Sequence, residues 1–179
     1  RLQGSPLAHT EVWLVFTGCE ESGGDGMLQL LADYGETLQS ALFIGLGLVG
    51  IGDRLGYLES EGMLRRRHLS STVLHLVQQA AQRLAGHAAQ PGGNPQAELT
   101  TSNFRIHPLH GSLRGAYTEM NIAWEHGFQG VCLMVLSSTE RGLPQWHRLT
   151  DTSENYQEQA FRLAHDFVWE LLKVWGEIN

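Results

Sequence analysis

Val12-Trp13-Leu14-Val15-Phe16-Thr17-Gly18-Cys19-Glu20-Glu21-Ser22-Gly23-Gly24 opens as an unbroken apolar run and ends in two adjacent carboxylates and a pair of glycines. A continuous apolar stretch rich in β-branched and aromatic residues predicts a strand, Glu11 to Thr17, central in a sheet and covered on both faces. Open α/β sheets build their sites at the carboxyl ends of such strands. Where the strand gives way to a loop, Glu20 and Glu21 converge, one free to hold a cation and the other to move a proton. Gly23 and Gly24 let the backbone turn tightly there.

The elements around this run alternate. Gly26 to Tyr34 reads as a helix stopped by Gly35, Ala41 to Leu48 as a second strand, and Leu55 to Leu58 as a short one nearer an edge. Ser71 to Leu84 is an amphipathic helix with Val73, Leu74, Val77, Ala80, Ala81 and Leu84 on its stripe, and His75 is assigned to packing beside it. His87 to Pro95 is a loop, Thr101 to Ile106 a strand, Tyr117 to His126 a helix ended by Gly127, and Gly130 to Leu136 a strand. Ser137 to Glu154 is a long polar loop, a length that often carries function. Gln157 to Trp175 closes the chain as a helix whose buried face is Phe161, Ala164, Phe167, Val168, Leu171, Leu172 and Trp175. Strands alternating with helices predict a three-layer α/β/α sandwich with a mixed, mostly parallel sheet.

Composition sets the bounds. The 179 residues suffice for one domain, and 42% hydrophobic with 17% charged residues is ordinary for a globular chain. A net charge of −7 argues against a nucleic-acid footprint, and Arg65-Arg66-Arg67 reads as a solvated face. No segment reaches the roughly 18 consecutive apolar residues of a membrane span, and none reads as a signal peptide. Cys19 and Cys132 both read as buried free thiols. Arg1 to Pro6 reads as the end of a helix whose first part is missing, and the compartment stays open.

A second segment, Leu143-Pro144-Gln145-Trp146-His147-Arg148-Leu149-Thr150-Asp151-Thr152, places a histidine in the long loop, able to bring a neutral imidazole to a metal. His107 and His110 have metal-compatible spacing only on a helix, which Pro108 opposes. Gly45-x-Gly47-x-x-Gly50 matches a dinucleotide fingerprint literally, but a turn and a strand follow it where the fingerprint needs a helix.

Taken together, Val12 to Gly24, Phe43 to Leu64, Tyr117 to Met134 and Gly142 to Leu172 resemble the later part of an M28-type zinc peptidase domain, a family mostly of aminopeptidases. Trp146-His147, then Thr150-Asp151-Thr152 and Glu154-Asn155, is the most specific of these stretches. The resemblance implies that residues 1–179 form a single domain of this type without its N-terminal part. It implies a peptide substrate cleaved at its free N-terminus by zinc-bound water. Glu20 corresponds to the general base, and Glu21 and His147 to ligands of one zinc; independently of the resemblance, Asp151 is placed in the loop to orient a nearby group.

The sequence departs from the family in two places. The His-x-Asp motif and the aspartate that bridges the two zincs lie upstream of these residues. Gly47 stands where the family has a metal-binding aspartate, and Asp53 is near but not at that position. Glu21 and His147 are two ligands, where a catalytic zinc takes three and water. Two alternatives follow: a non-catalytic, pseudopeptidase binding domain that has lost its metal site, and a single-zinc enzyme similar to those that cyclise N-terminal glutamine. Glu119, at the start of a helix, lines the pocket or stabilises the helix N-terminus.

Overall fold

The computed structural model describes residues 2–4, 6–62, 65–88, 106–109, 117–139 and 143–178. In chain order the elements are α1 (Asp25–Tyr34), β1 (Leu42–Leu46), β2 (Arg54–Leu58), β3 (Ser60–Glu61), β4 (Arg67–His68), α2 (Ser71–Ala88), β5 (His107–Leu109), α3 (Glu119–Glu125), β6 (Gln129–Leu136), a 3-10 turn (Ser153–Asn155) and α4 (Glu158–Gly176).

The main sheet has the order β1-β6-β2-β5. β1 pairs parallel to β6, β2 pairs parallel to β5, and β2 pairs antiparallel to β6. The fold is therefore α/β with a mixed, mostly parallel sheet, as the alternation of elements predicts. β3 and β4 form a separate antiparallel ribbon.

β6 is the middle of the core because Val131 to Val135 are apolar and buried on both faces. Val131, Leu133 and Val135, with Leu55 and Tyr57 of β2, pack on Val73 and Val77 of α2 and Phe167 and Leu171 of α4. Cys132 and Met134 point the other way, onto Met120 and Ala123 of α3. Alternation along a strand sends successive side chains to opposite faces, so the apolar stretch Val131 to Val135 supplies packing on both sides of the sheet. α1 joins the second layer through Met27 and Leu31, which meet Ile122.

Several sequence expectations change. Residues 11–17 are not a strand: the run is irregular and pairs with no strand among the described residues, with Leu14 82% and Phe16 95% exposed. It rests on α1 by an edge-on contact between the Trp13 and Tyr34 rings at 5.5 Å, and Trp13 Nε1 donates to Glu11 at 2.7 Å. β6, not this run, occupies the buried place beside β1. Cys19 is exposed for the same reason, while Cys132 is buried as expected. β2 is interior, between β6 and β5, because both its neighbours pair with it. His75 is exposed on α2. Phe161 is 45% exposed, since it lies at the first turn of α4, before the helix reaches the sheet. The strand expected at Thr101–Ile106 lies outside the described residues apart from Ile106; β5 follows at His107–Leu109, so His107 is on a strand and not a helix. No helix among the described residues is long and apolar enough to cross a membrane.

Candidate functional site

The acidic pair sits in a tight turn that the glycines make possible. The Gly24 and Ser22 N–H groups donate to the Cys19 carbonyl at 2.7 and 3.3 Å, and the Gly26 N–H donates to the Gly18 carbonyl at 3.1 Å. Cys19 takes a left-handed backbone (φ 62°) to close the turn. Gly26 is required: a Cβ there would lie 2.5 Å from the Gly18 nitrogen. The turn feeds directly into α1, which anchors it to the second layer of the core.

The loop at 143–152 is also held in an uncommon conformation. Leu143 is buried and pins one end, while Gln145 and His147 have φ of 59° and 56°. A left-handed backbone at non-glycine residues is uncommon and clusters at functional sites. The Thr150 hydroxyl donates to the Gln145 side chain, and Asn155 Nδ2 donates to the Thr150 carbonyl at 2.5 Å. Trp146 lies against the His147 ring with centroids 4.3 Å apart.

These two turns bring Glu21 and His147 together. His147 Nε2 and Glu21 Oε1 are 2.7 Å apart across 126 residues of sequence, with the ring N–H donating to the carboxylate. Both side chains are more than half exposed, so their ion pair adds little to stability. Glu20, next to this pair, is half-buried. Burial first, and then the charges of Glu21 and Glu119, push its carboxyl above the usual carboxylate range, while His147 opposes the rise. A raised carboxyl is suited to taking a proton near neutrality.

A supporting network lies behind the pair. The Thr17 hydroxyl donates to Glu119 Oε1. Thr118 caps α3 by accepting the Met120 N–H at 3.1 Å. Thr118 in turn donates its N–H to Glu61 Oε2 at 2.8 Å and its hydroxyl to the same carboxylate. Glu61 is 2% exposed. Burial raises its carboxyl to about 7, against the pull of the hydrogen bonds from Thr118. Sequence reasoning assigns Glu61 no role, because nothing in its spacing links it to a threonine 57 residues on. The cap at Thr118, a hydroxyl residue before an apolar helix, is the one part of this network with a sequence signal.

Glu20, Glu21, Gly47, Glu119, His147 and Asp151 all line one cleft of about 1580 Å³. Asp151 and His147 both line this cleft; the hydrogen bond of the His147 ring goes to Glu21. Asp53 is elsewhere engaged, accepting the Ser138 N–H at 2.7 Å, so it does not take the place of the aspartate that the resemblance expects at Gly47. The segment after Gly50 runs into β2 and not into a helix, so the glycines there form no dinucleotide site. Gly52 and Gly50 instead anchor the chain before α4: Gln157 Oε1 accepts from Gly52 at 3.0 Å, and the Gln157 N–H donates to the Gly50 carbonyl at 2.8 Å.

A carboxylate oxygen and an imidazole nitrogen are usual zinc donors, so the chemistry of Glu21 and His147 fits that ion. Among the described residues no group of three or more His, Cys, Asp or Glu side chains is arranged to hold a metal. No protein-family model and no curated protein matches the chain.

Proposed function

We propose that the chain is the zinc-binding part of a hydrolase of M28 aminopeptidase type, acting on the N-terminal peptide bond of a peptide. The observation that carries the reading is the Glu21–His147 contact at 2.7 Å with Glu20 beside it. Glu21 and His147 would hold the ion. Zinc, when bound, lowers the pKa of its water to near 7 and polarises the carbonyl under attack.

The residues then divide the work. Glu20, with its raised carboxyl, takes the proton of the attacking water and returns it to the leaving amine. Glu119, hydrogen-bonded to Thr17, fixes the segment entering the acidic turn. Asp151, lining the same cleft, orients His147 or the substrate amine.

The direct test is hydrolysis of an aminoacyl p-nitroanilide by the zinc-supplemented chain. The reading expects turnover that Glu20→Gln lowers by at least about a hundredfold while zinc binding is kept. A second reading, a binding domain that keeps the cleft without cleaving, is favoured by Gly47, which offers the cleft no side-chain donor. No turnover in the same assay, together with no zinc held by Glu21 and His147, selects it.

A further inference from the structure

We propose that the cleft between residues 11–17 and β1 is a strand-docking site. It takes an extended apolar segment of a partner polypeptide, with that segment's cationic end at Glu20 and Glu21. The inference uses only the sheet edge, the exposed apolar run and the charge of the cleft, so it stands whether or not Glu21 and His147 bind zinc.

β1 is the last strand of the sheet on its side, and among the described residues no strand pairs with its outer edge. The Gly47 N–H donates to the Leu133 carbonyl at 3.0 Å, which fixes the alternation. Phe43 and Gly45 turn their backbone groups, and Gly47 its N–H, to β6, and Leu42, Ile44 and Leu46 turn theirs to the cleft. An open, apolar, unbulged edge is a template for another strand. The opposite wall is the run Val12–Phe16, with which no strand among the described residues pairs, and Leu14 and Phe16 are 82% and 95% exposed. α4 contributes Val168, Leu172 and Trp175 to the same cleft. Exposed apolar surface of this continuity marks an interaction site.

Volume and charge choose the occupant. About 1580 Å³ exceeds the roughly 300–1,000 Å³ that small molecules fill, and the cleft runs along a strand edge, where main-chain pairing supplies the affinity. Glu11, Glu20, Glu21, Glu119 and Asp151 line it, and among the described residues no Lys or Arg does. A cation at the end of the incoming strand meets those carboxylates. A second copy of this chain is disfavoured, because its own apolar run is flanked by Glu11 and by Glu20-Glu21 and its net charge is −7.

The test uses two fluorescein-labelled peptides of about six residues alternating valine and threonine. One carries two lysines at its amino end, the other two glutamates. Binding to the 179-residue chain is followed by anisotropy in excess EDTA, and backbone protection by amide hydrogen exchange. The lysine peptide should bind, should weaken about tenfold in the Glu20→Gln, Glu21→Gln double variant, and should protect the amides of Leu42, Ile44 and Leu46. Equal binding of the glutamate peptide overturns the charge assignment. Binding without protection of those three amides overturns strand docking. A concentration-dependent dimer that protects them gives the cleft to a second copy. Active-site failure looks different, since it changes hydrolysis or zinc binding and leaves this protection intact.

Discussion

Glu61 places a carboxyl where water hardly reaches, with hydrogen bonds from Thr118 and the Asn121 backbone to receive its charge. Its folded pKa of about 7 lies above the ordinary value of 4.5, so the folded chain holds this proton more tightly than the unfolded one. By linkage, the stability Glu61 provides is full below about pH 4.5 and is lost as pH rises through about 7. The span corresponds to roughly 3 kcal/mol. Glu61→Gln keeps an acceptor for the Thr118 N–H without the ionisation. Thermal unfolding at pH 5 and pH 8 should therefore show a smaller loss at pH 8 in the variant than in the parent; an unchanged difference would contradict this. Gly26→Ala sets a methyl 2.5 Å from the Gly18 backbone and should cost about 1–3 kcal/mol, read from urea unfolding. Gly47→Asp is milder, since a Cβ there lies 3.1 Å from the flexible Met134 side chain. It should fold and raise zinc affinity in a competition titration, and unchanged affinity would count against placing Gly47 at the metal. At this scale the pair Glu21 and His147 was legible through residue type and resemblance. Glu61 was not, because its role comes from burial and a capping contact that sequence spacing does not encode.

Among the elements, α4 carries the most telling contrast. Phe167 is fully buried between α2 and the sheet, whereas Phe161 packs beside Tyr156 and His165 at the surface. Phe167→Ala should cost about 3–5 kcal/mol and Phe161→Ala within about 0.5 kcal/mol, measured by the same unfolding curves. Helical periodicity put both on one stripe, because it reports the face of a helix and not where the neighbouring layer begins. The same limit explains residues 11–17. Their apolar run carries the same signal as β6, whose run Gln129–Leu136 lies in the sheet. Composition says that both runs need cover. Only the availability of pairing partners on each side decides which one becomes a strand.

The whole molecule sets an acidic cleft with apolar walls against one edge of a well-packed α/β core. The mixed α/β sheet, β1, β2, β6 and the helices packed on them follow from patterning, whereas a strand at residues 11–17 does not form and β3 and β4 carry no pattern of their own. The open edge and the exposed run do not follow from it, since they are properties of what pairs across space. Function on this account rests on two turns, each held in left-handed backbone, that meet at Glu21 and His147. The most direct measurement is elemental mass spectrometry of the purified chain after dialysis against trace zinc at neutral pH. The account predicts about one zinc per chain, lost in Glu21→Ala and in His147→Ala. No bound zinc, or zinc that both variants retain, would contradict it.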